Sequence, residues 1–152
     1  MVLPASTAQE MTLRIAQEVR VKASLETTFE ALLDELGPHH QVSDERALPM
    51  KLEAWPGGRW YRDLGEGNGH FWGHVQAIKR PTLLEITGPL FMSTAVTSNV
   101  QYRLTPTNDG TLITFTHTAM GLIPEEHRAG VQSGWGYSLQ RVRQSAENAH
   151  KE

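Results

Sequence analysis

Two long alternating runs hinged at one turn restrict this chain more than any other feature. In a strand expected from Ser93 to Thr105, the residues Val96, Val100, Tyr102 and Leu104 alternate with Thr97, Asn99, Gln101 and Arg103. From Leu112 to Met120, Ile113, Phe115 and His117 alternate with Thr114, Thr116 and Thr118. Asn108-Asp109-Gly110 lies between the runs, and such a pairing supplies the left-handed backbone of a tight hairpin turn. Period two with one polar face describes antiparallel strands that keep one side on a core. The apolar side needs a cover, and one follows directly. Val131, Trp135, Leu139, Val142 and Ala146 draw one stripe down a helix that starts at Pro124, carries Glu125 and Glu126 at its positive end, and runs to about Asn148.

The rest of the chain extends the same sheet. Thr12 to Ala23 alternates, with Leu13, Ile15, Val19 and Val21 on one face and Gln17 as a polar intruder among them. A short helix over about Leu25 to Leu36 follows, capped by Ser24 and ended by Gly37-Pro38, with Phe29, Leu32, Leu33 and Leu36 as its stripe. A second short helix is expected in the polar segment between Pro38 and Pro49. Strands are expected over Met50–Ala54, Arg59–Leu64, His70–Ile78 and Leu83–Thr87, each bounded by Gly or Pro. The fold class is therefore α+β: a curved antiparallel sheet of about seven strands around a long C-terminal helix, with a short helix pair after the first strand.

The 152 residues suit one domain, expected over 12–148, with a frayed arm at 1–11 and a tail at 149–152. There is no cysteine, so disulfides, thiol nucleophiles and thiolate metal sites are excluded. A net charge of −3 spread along the chain offers no footprint for nucleic acid or an anionic membrane. No apolar run approaches the ~20 residues of a membrane span, and the first residues do not read as a secretory signal. A cytoplasmic location is expected.

Several local words add to this order: Pro56-Gly57-Gly58-Arg59-Trp60, Gly73-His74-Val75 leading to Arg80-Pro81-Thr82-Leu83, Gly110-Thr111 through Thr114-Phe115-Thr116-His117, and Gly134-Trp135 with Leu139. Over about Thr12 to Asn148 the chain resembles the START-like, or SRPBCC, helix-grip superfamily that includes the birch-pollen allergen fold. Within it, the chain is most similar to the bacterial group resembling the activator of heat-shock protein 90 ATPase. The resemblance implies a hydrophobic cavity between the sheet and the last helix, and no single activity, since the superfamily holds carriers, polyketide cyclases and receptors.

Polar residues that alternation turns inward are the candidate ligand contacts, because a buried polar group needs a partner and a ligand can be one. These are Gln17, Ser98, Tyr102 and His117, with Arg62 in phase with Trp60. Trp60, Phe115 and Trp135 are candidate apolar walls, and Gly134, like Gly130, sits inside the long helix where each glycine costs about 1 kcal/mol relative to alanine. Absent side-chain volume beside a cavity would explain that cost. His117 is the best candidate for acid–base work, since histidine titrates near neutrality. His70 and His74 share a strand face with Trp72 but stand about 13 Å apart, too far to share a metal. Gly65 to Gly69 lies between strands and is no phosphate loop, and neither Ser98 nor Ser138 sits on a nucleophile elbow. No metal and no cofactor are expected. The favoured function is a small-molecule binding protein, monomer or homodimer, for an apolar or aromatic metabolite. The alternatives are a cyclase or dehydratase of the polyketide type working in the same cavity, and a chaperone-interacting protein.

Overall fold

The two alternating runs form the longest strands of a seven-stranded antiparallel sheet in the computed structural model, which describes residues 11–151. The expected N-terminal arm, bar Met11, and the last residue of the expected tail lie outside the described residues. In chain order the elements are β1 (Thr12–Val21), α1 (Leu25–Leu36), β2 (Gln41–Ser43), β3 (Arg46–Ala47), β4 (Lys51–Leu52), β5 (Arg59–Gly65), β6 (Asn68–Lys79), β7 (Leu83–Gly88), β8 (Val96–Thr107), β9 (Gly110–Gly121) and α2 (Glu125–Lys151). The sheet order is β1-β9-β8-β7-β6-β5-β4, so the first strand pairs with the last, from Thr12↔Met120 to Val21↔Thr111. Alternation predicted the inner faces of this pair and of β8: Ile15, Val19, Ser98, Val100, Tyr102, Leu104, Ile113, Phe115 and His117 are all buried. The helix stripe lands on them, with Val131, Trp135, Leu139, Val142 and Ala146 buried in turn.

Two expectations give way. The second short helix is absent; residues 41–47 form the small hairpin β2–β3 instead. This stretch has no apolar period of 3.6, and its flanks are held by sheet-like bonds, Leu48 N–H to His40 O at 2.9 Å and Met50 N–H to Gly37 O at 3.0 Å. The shared face of His70, Trp72 and His74 is also broken. The β5–β6 register passes from Trp60↔Gly73 to Tyr61↔Phe71 and skips Trp72, so β6 carries one extra residue there. Trp72 and Val75 are therefore buried while His74 is exposed against Phe71, 4.8 Å between ring centres. Gly73 sits at this irregularity with Thr87 O only 2.8 Å from where a Cβ would be, so the neighbouring strand leaves no room for a side chain.

Side chains pin α1 between the sheet and α2. Ser24 Oγ accepts from Thr27 N–H at 3.1 Å at its start. At its end the buried Trp60 indole donates to the Leu36 carbonyl at 2.7 Å, one of the acceptors a helix terminus leaves over. Glu35, 3% exposed, receives the Arg141 guanidinium at 2.9 and 3.1 Å, and the same Arg141 donates to His39 O at 3.1 Å. Among the described residues no helix is long and apolar enough to cross a membrane.

Burial pushes the Glu35 carboxyl up to about 7, although the hydrogen bonds and charge of Arg141 pull it down. The folded chain thus keeps a proton that the unfolded chain releases near 4.5. The stabilisation is full below that value and is lost as pH rises to about 7. The free energy of unfolding of Glu35→Gln relative to the native chain is expected to rise by ~2–3 kcal/mol between pH 4.5 and 8. Denaturant melts of the two proteins across that range check it; a constant difference would mean that folding leaves the Glu35 carboxyl at its ordinary value.

Candidate functional site

Trp135 joins the helix to the sheet through a hydrogen-bonded chain. Its indole N–H donates to His117 Nδ1 at 2.9 Å, and His117 Nε2 lies 3.0 Å from Ser98 Oγ. An indole only donates, so Nδ1 must be bare and Nε2 must carry the proton that Ser98 accepts. Both ring nitrogens are therefore committed within the protein, and the side chain is fully buried. Burial lowers the His117 pKa to about 4. A neutral histidine with neither nitrogen free orients the indole and moves no proton near neutrality.

The other residues singled out in the sequence scatter from this chain. Gln17 is half-buried on β1, and its Nε2 donates to the carbonyl of Gln132 on α2 at 2.8 Å. Tyr102 packs on Phe115 with 4.9 Å between ring centres, and Phe115 on Trp135 with 4.8 Å. The Tyr102 hydroxyl is buried without a partner among the described residues, and burial, with the charge of Glu35, holds it protonated. Arg62 is half-exposed on β5 opposite His70, beyond the irregularity at Trp72. The space beneath the sheet is thus filled by Trp60, Tyr102, Phe115 and Trp135.

A pocket of about 460 Å³ opens on the other side of Trp135. Its walls are one face of α2 (Val131, Gly134, Trp135, Ser138), the β2–β3 hairpin (Gln41, Val42, Arg46), His40, Leu48, Trp72 and Phe91. Of the residues singled out as ligand contacts, Gly134 and Trp135 border it; Gly130 does so as well. A Cβ built on Gly130 or Gly134 would meet nothing within 4 Å, so both glycines keep this space empty. Trp72, Phe91 and Trp135 form a continuous aromatic wall, with ring centres 5.8 Å and 6.3 Å apart on the two sides of Phe91. Phe91 is held there by an unusual residue. Leu90 has φ +58°, a left-handed backbone that a branched side chain rarely adopts, and its N–H donates to Trp72 O at 2.8 Å. Complete burial of the Leu90 side chain offsets that strain.

Sequence reasoning left His40 and Ser138 out of the ligand contacts, and took Trp72 and Phe91 as core aromatics, of which some could line a cavity, without placing either among the contacts. His40 and the hairpin come from the segment without period, and Phe91 from an irregular connection. Only the helical spacing of Gly130, Gly134 and Ser138 around Trp135 carried a signal. Among the described residues, no group of three or more His, Cys, Asp or Glu side chains is arranged to hold a metal.

Comparison with known proteins gives a consistent picture of the fold. The family model for Activator of Hsp90 ATPase homolog 1-like protein matches residues 22–147. No curated protein matches the chain. Among solved structures, an AHSA1-like protein from Aeromonas hydrophila is 19% identical, with 92% of this chain and 96% of that one covered and a TM-score of 0.67. An uncharacterised protein from Rhizobium leguminosarum is 18% identical, with 90% and 95% covered and a TM-score of 0.70. The di-domain ARO/CYC StfQ of the steffimycin biosynthetic pathway is 13% identical, with 97% of this chain and 54% of that one covered and a TM-score of 0.65. At these identities the likeness is one of fold.

The committed state of His117 has a direct readout. Nitrogen NMR of the ring is expected to give the Nε2–H tautomer, without titration between pH 8 and pH 5, and a midpoint at about 4. The pKa is depressed, so the associated stability is complete above the ordinary 6.5 and is lost as pH falls toward 4. A midpoint near 6.5 would mean that the imidazole is free of the Trp135–Ser98 chain.

Proposed function

The chain belongs to the Activator of Hsp90 ATPase homolog 1-like family, and from that premise we propose that it is a small-molecule binding protein whose site is the pocket on the hairpin side of α2. The pair Gly130 and Gly134 carries this reading. Two glycines one turn apart weaken a helix by about 1 kcal/mol each, and neither is required here by a close backbone approach. Their one local consequence is empty volume beside Trp135. That volume, about 460 Å³, lies within the ~300–1,000 Å³ usual for ligand pockets. The aromatic wall of Trp72, Phe91 and Trp135 suits a flat apolar or aromatic ligand.

A catalytic reading of the polyketide-cyclase type draws on the likeness to the di-domain ARO/CYC protein, which is a likeness of fold. It would need a proton-transfer group; the buried His117 has no nitrogen to offer, which leaves that role to His40, whose Nε2 has no partner among the described residues. Binding without turnover is the simpler use of this geometry. A chaperone-binding role finds no support in the outer sheet face, where Asn99 and Gln101 bond Glu85 in an ordinary solvated network.

The glycines make the proposal testable. An environment-sensitive apolar dye is expected to bind the native protein. Gly134→Leu is expected to weaken that binding at least about tenfold, and to hold or raise the melting temperature because a helical glycine has been removed. Ala129→Leu, on the exposed part of the same helix, is the control and is expected to leave dye affinity unchanged. Equal dye affinity in Gly134→Leu and the native chain would remove this pocket from the function.

A further inference from the structure

We propose that the pocket selects ligands carrying a hydroxyl or another hydrogen-bond donor, which His40 Nε2 accepts, with Ser138 as the second polar contact. The proposal rests on the small-molecule reading above and narrows its ligand class.

His40 is 7% exposed and borders the pocket. Its Nδ1 lies 3.1 Å from the Glu35 carbonyl. A carbonyl oxygen only accepts, so Nδ1 carries the ring proton. Burial first, and the nearby Arg141 charge as well, hold the pKa below the ordinary histidine value, which keeps the ring neutral and leaves Nε2 as a bare lone pair. That nitrogen has no partner among the described residues, and it is not sealed in the core in the way that the Tyr102 hydroxyl is. The ring is also fixed. It stands edge-on to Trp60 and Trp72, with centres 6.4 Å and 5.7 Å apart, and the Glu35 bond sets its rotation.

A fixed acceptor in an aromatic wall is costly unless a donor meets it. Ser138, 5% exposed on α2, borders the same pocket, and its hydroxyl also lacks a partner among the described residues. A hydroxyl can both donate and accept, so it can answer whichever end of the ligand group remains. A ligand alcohol or phenol satisfies both side chains: its O–H donates to Nε2, and its oxygen accepts from Ser138. A carboxylate or ketone would set lone pair against lone pair at His40. A plain hydrocarbon would leave the nitrogen unpaired and dry. The pocket thus combines an aromatic wall with a donor-reading corner at His40 and Ser138, while Gln41, Arg46, Glu126 and His127 supply the rest of its polar lining.

Calorimetry with 2-naphthol, 2-methoxynaphthalene and naphthalene tests this. The three share a ring system and differ in the donor. The native protein is expected to bind 2-naphthol about tenfold more tightly than the other two, the effect of leaving one buried acceptor unpaired. In His40→Phe the preference is expected to fall to within about twofold. His40→Asn is the second variant, because an amide N–H can still meet the Glu35 carbonyl while Nε2 is gone; the same collapse is expected. Ser138→Ala is expected to weaken 2-naphthol about threefold and to leave naphthalene unchanged. Equal native affinity for the three compounds, or a phenol preference that survives in both His40 variants, would overturn the proposal. Equal binding with displacement of the apolar dye would leave the pocket reading standing and sink this one alone. No binding of any of the three, by a protein whose dye affinity ignores Gly134→Leu, would sink both.

Discussion

The position of Trp135 is the constraint on which the rest of the molecule depends. One long helix must cover a sheet whose inner face runs across β1, β9 and β8, and a stripe of aliphatic side chains could settle there in more than one rotation. The indole resolves that choice. Its N–H needs a buried acceptor, and His117 Nδ1 supplies one, with the proton on the far nitrogen held by Ser98. The chain Trp135–His117–Ser98 thus ties α2 to β9 and β8 at one rotation. A slip of the helix would leave an indole N–H and an imidazole nitrogen unpaired in a dry core, which is more costly than imperfect apolar packing.

The same residue divides the interior in two. On its sheet side lie Phe115 and Tyr102, close-packed and closed. On its other side lies Phe91, and beyond it the open pocket. Volume removed from the helix at Gly130 and Gly134 therefore appears next to an aromatic wall rather than inside the hydrophobic core. The core keeps native density while the site stays empty, and a cavity that would weaken the fold is moved to its margin.

Period carried much of this into view. The inward set Ser98, Tyr102, Phe115 and His117 followed from alternation alone, and the stripe through Trp135 followed from helical spacing. What period cannot carry is local irregularity and long-range assembly. The extra residue at Trp72 rotated half of β6, so His74 went outside where strict alternation had it beside His70. The hairpin over 41–47 has a polar, patternless sequence, and its structure depends on bonds to His40 and Gly37. His117 read as a candidate acid–base because alternation reports which way a side chain faces. It does not report which donors wait there, and the partner that occupies its Nδ1 lay 18 residues along the chain, on another element. His40 was weighed with His39 only as a metal pair, which diverging neighbours cannot form, because its segment has no face to assign.

This division separates the parts that hold the fold from the parts that line the pocket. The sheet ladder and the Trp135 tie involve long strands with a fixed register, so substitutions there are felt through packing across several elements. Apart from Val131, Trp135 and Trp72, the pocket draws mainly on other parts: the β2–β3 hairpin, the connection that carries Leu90 and Phe91, and the stretch of α2 that holds Gly130, Gly134 and Ser138. Of the pocket's lining residues only Trp72 lies within the seven-stranded sheet. A change at Val42, Gly130 or Ser138 alters the pocket wall and leaves the main ladder untouched. Structures only 13–19% identical can therefore share this architecture at TM-scores of 0.65 to 0.70. Likeness of the ladder follows from the packing that it must satisfy, whereas most of the pocket wall lies on segments that the ladder does not constrain.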